Sequence, residues 1–289
     1  MLRKGDLTQG GITGTLLHFT LPMMVGSFLQ QCYNIADTLI VGQCIGAGAL
    51  AAVGSAYTLM VFLISVLLGL AMGSGTVFSL HYGAGNHVAL RRSIFSSFVL
   101  IGIVTLILNV AVFIWLDPIL RLLQVPQDIY GMMRSYLWII FCGIVFTFIY
   151  NFYASLLRAV GDSVTPLWFL AVSVVLNIAL DLFFILQLDW GIQGAAAATV
   201  LAQGVAALGI IIYTYRRRPE LRWHHEDMCF DRTCLKEIAS FSTLTCIQQS
   251  VMNLGILMVQ GLVNSFGTAV MAAFAAVSYT HLRAHETKA

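Results

Sequence analysis

Two apolar stretches separated by a short turn decide the fold class: PLWFLAVSVVLNIALDLFFILQL at residues 166–188 and GIQGAAAATVLAQGVAALGIIIYTY at residues 191–215. A helix needs about 20 apolar residues to cross the hydrocarbon core of a bilayer. Each stretch is long enough, and the turn Asp189-Trp190-Gly191 leaves room only for a tight hairpin. We therefore expect two antiparallel membrane-spanning helices here.

The rest of the chain has the same apolar character. Its 289 residues are 59% hydrophobic and only 10% charged, whereas soluble domains carry about 25% charged residues. The net charge of +2 is too small to indicate a nucleic-acid partner. The composition predicts an all-α, polytopic bundle in the lipid bilayer, built from seven apolar runs: Leu16–Val41, Ala49–Ser79, Ser93–Leu116, Gly131–Leu156, Pro166–Leu188, Gly191–Tyr215 and Ile238–Asn264.

Positive charges predict the orientation of these runs. If the N-terminus is cytoplasmic, eleven Lys and Arg residues fall on inner segments and two on outer segments, as the positive-inside rule requires. We expect a multi-pass plasma-membrane protein with a cytoplasmic N-terminus. The charged segment 216–237 follows six runs and is expected to be a cytoplasmic linker. A metal cluster of its His and Cys residues is an alternative, although their spacing fits no standard zinc pattern.

An internal repeat suggests two lobes. FTLPMMVGSFLQQ from Phe19 resembles FSTLTCIQQS from Phe241, and both lead into Ala-rich segments that start at Gly46 and Gly267. The copies run in the same direction, which is one common transporter plan, although membrane helices also resemble one another by composition. We expect a six-helix lobe at 1–215, the start of a second lobe at 238–277, and a non-native tail, SYTHLRAHETKA, at 278–289 of a truncated chain.

Two acids lie deep inside the predicted spans. Of the 13 Asp and Glu residues, only Asp37 and Asp181 lie well inside the predicted runs, and no Lys or Arg is deep enough to pair with either. Because an unbalanced charge in the bilayer is costly, an intramembrane acid indicates function. A proton, a bound cation such as Na⁺, or a cationic substrate would balance these acids. The alternative is that both only form hydrogen bonds that lock helices together.

Polar residues one helical turn apart accompany these acids. Gln30, Asn34 and Asp37 share a face, as do Asn177 and Asp181, and Thr199 and Gln203. At 1.5 Å per residue, Asp37, Asp181 and Thr199 all fall in the outer half of the bilayer. Their oxygens suit a hard cation. Weaker candidates for a substrate cavity are Gln30, Asn34, Gln203, Gln248 and Gln249.

The connection LLRAVGDSVTPL after residue 155 suits a hinge. Arg158 can reach the inner headgroups, and Gly161 and Asp162 suit a turn. Thr165 is expected to cap the next helix, with Pro166 at its first position. Pro22 either kinks the first helix or marks its start.

Six motifs in order resemble the multidrug and toxic compound extrusion (MATE) transporters. The motifs are NIADT from Asn34, GAGALAAVG from Gly46, YGAGN from Tyr82, LRAVGDSVTP from Leu157, LNIALD from Leu176 and GIQGAAAAT from Gly191. The resemblance implies twelve helices in two lobes and export of bulky, often cationic compounds in exchange for Na⁺ or H⁺. It also implies that Asp37, Asn177, Asp181 and Thr199 form the cation site.

Other functions remain as alternatives to this exporter. A lipid-linked precursor flippase of related fold would carry more cationic residues, and a passive channel would not need paired acids. The spans contain no set of nucleophile and base residues and no metal motif, so we do not expect an enzyme. We expect a monomer that uses no cofactor besides the coupling ion.

Overall fold

The computed structural model describes residues 12–223, 227, 232–275 and 277, and the secondary structure of this part is helical. The described residues form eight long helices: α1 (Ile12–Cys44), α2 (Ala47–Gly83), α3 (His87–Leu122), α4 (Gln127–Cys142), α5 (Ile144–Ala159), α6 (Val164–Leu182), α7 (Gly191–Arg217) and α8 (Arg232–Asn264). A π-helical turn, Phe183–Gln187, extends α6, and residues 268–275 form a further helical segment. The architecture is the predicted all-α bundle.

Within the described residues, five helices are long and apolar enough to cross a membrane, and a sixth span results if α4 and α5 are counted together. Six of the seven predicted runs meet this criterion. The remaining run, Leu16–Val41, lies in α1, which is 33 residues long.

Pro22 lies inside α1, which begins ten residues earlier, at Ile12. The alternative that this proline marks the start of the first helix was therefore wrong. Proline has no N–H, so the carbonyl one turn before it receives no helical hydrogen bond. Pro22 thus remains a candidate position for bending in α1.

The span formed by α4 and α5 is bent by 50° at Gly143. A Cβ at Gly143 would lie 2.5 Å from the side chain of Val200, so glycine allows α7 to approach the bend. Asn109 on α3 donates a hydrogen bond of 2.6 Å from its amide to the carbonyl of Phe141. A polar side chain on a neighbouring helix thereby satisfies a carbonyl beside the break.

The predicted cap of α6 was displaced by a few residues. The helix starts at Val164, so Thr165 is already helical and Pro166 is the third helical residue. The capping side chain is Asp162, whose carboxylate accepts from the backbone N–H of Thr165 at 3.0 Å and from its hydroxyl at 2.8 Å. Asp162 also forms an ion pair of 3.4 Å with Arg218, which ties the end of α7 to this turn.

The first part of the predicted linker packs against the bundle instead of extending into solvent. Leu221 is buried, and the ring of Trp223 lies edge-on to the rings of Phe95 and Phe98 on α3. Arg91 on α3 forms an ion pair of 2.6 Å with Asp227. His224, His225 and Cys229, which the metal alternative needs, lie outside the described residues, and the described ones contain no group of three metal-binding side chains.

The helices α2 and α8 pack antiparallel along most of their length. Gly69 faces the backbone of Cys246, and Gly73 faces the backbone of Ser242, so closely that neither glycine leaves room for a Cβ. Small residues allow this backbone contact between membrane helices. Large apolar side chains instead point outward on the other faces of the bundle, as on α3, where Leu106, Ile107 and Ile114 are exposed.

Candidate functional site

A cavity of about 370 Å³ lies among α1, α2, α4, α5, α6 and α7. Asp37 is the one charged residue among the described residues that line it. Aromatic and uncharged polar side chains supply much of the remaining lining: Gln30, Tyr33, Asn34, Tyr57, Tyr136, Thr147, Tyr150, Asn151, Ser173, Thr199 and Gln203. The cavity therefore combines tyrosine rings and amides with a single acidic side chain in its lining.

The helical spacing of α1 brings its polar residues to this cavity. Gln30, Asn34 and Asp37 line it together, which agrees with the shared face expected from the sequence. The Asn34 amide donates to the hydroxyl of Tyr57 on α2 at 3.1 Å and to the side-chain oxygen of Gln31 at 3.4 Å. The bond to Tyr57 joins α1 to α2 one turn before Asp37.

The carboxyl groups of Asp37 on α1 and Asp181 on α6 lie close enough to interact with each other. Both are buried, with exposures of 8% for Asp37 and 0% for Asp181. One oxygen of each, Oδ1, has no hydrogen-bond partner among the described residues. Two carboxylates in contact repel each other, so this arrangement requires a shared proton or a cation.

Asn177 and Thr199 complete the wall behind Asp181. With its amide nitrogen turned towards Asp181, Asn177 donates to Oδ2 at 2.9 Å and accepts from the Thr199 N–H at 3.2 Å. In the opposite orientation the amide donates to the Thr199 hydroxyl at 3.3 Å instead. We favour the first orientation because it gives the Asp181 carboxylate a donor.

The π-helical turn Phe183–Gln187 begins two residues after Asp181. Such turns occur often at functional sites because they change the direction of neighbouring side chains. The ring of Phe184 in this turn stacks on Trp190, with centroids 5.1 Å apart, and so fixes the hairpin that leads into α7. This hairpin positions Thr199 opposite Asn177.

Known proteins share this arrangement of helices. The family model MatE matches residues 22–183, which is more than half of the chain and extends from Pro22 past Asp181. The chain belongs to the MATE family. This membership confirms the resemblance found in the sequence motifs, and it makes the chain part of a transporter family rather than an enzyme family.

Two similar proteins illustrate the relationship to other MATE proteins. The probable multidrug resistance protein YpnP of Bacillus subtilis is 33% identical over 283 residues, covering 96% of this chain and 62% of the relative. The crystal structure of the Vibrio cholerae MATE transporter VcmN in the bent form is 27% identical with a TM-score of 0.78, covering 92% of this chain and 60% of that one. The chain thus spans about three fifths of the length of these relatives.

The structure of this MATE chain brings some of the residues predicted from the sequence together and leaves others apart. The structure brings Asp37, Asp181, Asn177 and Thr199 together, and it places Gln203 in the cavity wall with the Thr147 hydroxyl donating to its amide oxygen. Gln248 and Gln249 do not line this cavity, because α8 packs mainly against α2 and α3. Gln249 instead contacts the sulfur of Met72 at 3.6 Å.

Tyr33 and Tyr57 line the cavity but were not among the residues predicted from the sequence. The Tyr33 hydroxyl lies 3.2 Å from the hydroxyl of Thr199 and joins α1 to α7. Its position four residues before Asp37 was a usable signal, since it places both on one helix face. No comparable signal marked Tyr57, which reaches the site only because α2 packs beside α1.

Proposed function

We propose that this chain contains the coupling half of a plasma-membrane antiporter that exports bulky, often cationic organic compounds. The observation that carries the proposal is the contact between the buried carboxyls of Asp37 and Asp181 beside a large cavity. Two carboxylates that are buried close together need a positive charge to balance them, and a mobile H⁺ or Na⁺ can supply it. The family and the drug-resistance relatives support the same activity.

The chemistry of the cavity supports the substrate class. Tyr33, Tyr57, Tyr136 and Tyr150 line it, and tyrosine rings attract organic cations through their π faces. Asp37 adds the negative charge that such a compound favours. Because the lining contains no Lys, Arg or His among the described residues, this cavity does not suit an anionic substrate.

The proposed cycle depends on competition for the acid pair. A cation that enters from outside binds between Asp37 and Asp181 and removes the charge that held the organic cation, which is then released. Asn177 and Thr199 orient the carboxylates and offer further oxygens. A ligand drives the exchange only if it binds one conformation more tightly than the other. The proposal includes a cytoplasmic N-terminus, two lobes joined by segment 216–237, and a monomer.

Two substitutions test this proposal, Asp37→Asn and Asp181→Asn. Each is made in the protein as its host membrane contains it. Neutral asparagine keeps the shape but removes the need for a cation, so gradient-driven export in proteoliposomes should be lost while the protein is still inserted. Asp128→Asn is the matched control, since Asp128 is exposed and lies outside the cavity. Wild-type export by both site variants would refute the proposal.

The two other candidate functions give different results in the same vesicles. A passive channel would release substrate without any Na⁺ or H⁺ gradient, whereas the antiporter requires one. A flippase would move a lipid-linked anion and would not depend on Asp37. The absence of basic residues from the described lining of the cavity speaks against a flippase.

A further inference from the structure

A second group of polar side chains is buried at the end of the bundle where α2 begins and α8 ends. The exposed fraction of each side chain is small: 1% for Ser55 and 8% for Thr58 on α2, and 5% for Gln260 and 1% for Asn264 on α8. None of the four lines the cavity described above. They therefore serve some purpose other than contact with the substrate or the coupling ion.

These side chains satisfy one another across the α2–α8 contact. The Asn264 amide nitrogen donates to the Ser55 hydroxyl at 3.1 Å, and its oxygen accepts from the Gln260 amide at 2.8 Å. The Thr58 hydroxyl lies 3.3 Å from the Gln260 oxygen. Asn264 also donates at 2.8 Å to the carbonyl of Leu123, where α3 has just ended. One residue thus ties α8 to both α2 and α3.

The opposite half of the same contact has a different character. There Gly69 and Gly73 lie against the backbone of Cys246 and Ser242, and the Ser242 hydroxyl donates to the Leu70 carbonyl at 3.2 Å. Neither glycine leaves room for a side chain between the two helix backbones. Close packing of small residues suits a pivot, because two helices can rotate there while they stay in contact.

Hydrogen bonds between amides and hydroxyls suit a contact that opens towards water. If α2 and α8 separate at this end, water can replace every bond that Asn264, Gln260, Ser55 and Thr58 lose. An apolar contact would have no such replacement and would resist opening. In the closed state, each bond adds to the cohesion of the helices in the bilayer.

We propose that Ser55, Thr58, Gln260 and Asn264 form a polar latch that closes the α2–α8 contact at its outer end and opens around the Gly69–Gly73 pivot. This inference rests on the proposed exporter function and on a cytoplasmic N-terminus, which places the start of α2 and the end of α8 outside. Opening of the latch exposes the seam between α2 and α8 to the exterior, and its closure seals that side.

A cysteine at Ala275 reports on the latch without altering its four residues. Ala275 lies in the helical segment that follows α8; it is buried, and its methyl group faces Gly54 on α2. We expect it to become accessible when this end of α2 separates from α8 and that segment. In intact cells, a membrane-impermeant maleimide should label Ala275→Cys slowly. Adding Asn264→Ala removes three partners and should speed labelling roughly tenfold. The parent without the Ala275→Cys change corrects for native cysteines.

Asn253→Ala is the matched control for this experiment. Asn253 is also an asparagine of α8, but its amide donates to the Gln249 carbonyl of its own helix at 2.9 Å. It should leave the labelling rate of Ala275→Cys unchanged. Equal labelling in the Asn264→Ala and Asn253→Ala backgrounds would overturn the latch, as would acceleration only in inside-out vesicles.

A cross-link tests the latch even if Asn264→Ala fails to fold. Cysteines at Ser55 and Asn264 can be joined by a short bis-methanethiosulfonate reagent, which a reductant later cleaves. Export should stop on cross-linking and return after reduction. Export that continues through the cross-linked protein would show that this end need not open. If the parent protein without these cysteines does not export, the exporter proposal fails, while the labelling result still decides the latch.

Discussion

Tyr33 on α1 and Thr199 on α7 are joined by their hydroxyl groups, whose oxygens lie 3.2 Å apart. This contact closes one side of the acid pair, because Tyr33 and Asp37 share a face of α1 and Thr199 contacts Asn177 on α6. Helix α1 therefore meets the hairpin formed by α6 and α7 through one hydroxyl group. The contact makes Thr199 a useful position for testing how the site binds its cation.

Thr199→Val should weaken cation binding more than Thr199→Ser. Valine keeps the branched shape but removes the hydroxyl that Tyr33 and Asn177 contact. We expect the Na⁺ or H⁺ concentration for half-maximal export to rise roughly tenfold in the valine variant and to change little in the serine variant. Export kinetics in proteoliposomes measure this. Identical cation dependence in both variants would remove Thr199 from the site.

Gly69→Leu should destabilise the protein through the α2–α8 contact. No space exists for a side chain there, because the backbone of Cys246 lies directly opposite. The helices must move apart, at a cost of about 1–3 kcal/mol. Gly255→Leu is the control, since nothing lies within 4 Å of a Cβ at that position on α8. Thermal unfolding in detergent compares the two, and equal melting temperatures would contradict the packing.

Asn109→Leu should destabilise the bend between α4 and α5. The substitution removes the donor that lies 2.6 Å from the Phe141 carbonyl and leaves that carbonyl without its side-chain partner. We expect a loss of about 1 kcal/mol. Asn253→Leu provides the comparison, because among the described residues its amide bonds to a carbonyl of its own helix, that of Gln249. A larger loss of stability in Asn253→Leu than in Asn109→Leu would argue against this role.

Asp162→Ala should cost more stability than Asp162→Asn. Alanine removes the cap of α6 as well as the ion pair with Arg218, whereas asparagine can still accept from the Thr165 N–H. Loss of a cap costs about 1 kcal/mol, while a partly exposed ion pair contributes about 0–1 kcal/mol. Urea unfolding of the solubilised protein measures both. Equal effects of the two substitutions would assign the role to charge alone.

Several features of this protein follow from local sequence. The length and hydropathy of the runs predicted the spans, because the thickness of the bilayer sets the length of every helix that crosses it. Helical spacing placed Gln30, Asn34 and Asp37 on one face, since 3.6 residues per turn is a local property. Asp37 and Asp181 were predicted as site residues because no Lys or Arg lies deep enough in the spans to pair with them. An unbalanced intramembrane charge is costly in any fold.

Tertiary packing decided what the sequence pattern could not. Tyr57 joins the site only because α2 lies beside α1, and Gln249 is excluded from the cavity only because α8 packs on α2. The pairing of Ser55 with Asn264 likewise depends on which faces of two distant helices meet. Periodicity specifies the faces of a helix, but the neighbour that each face contacts is set by steric fit among all helices at once.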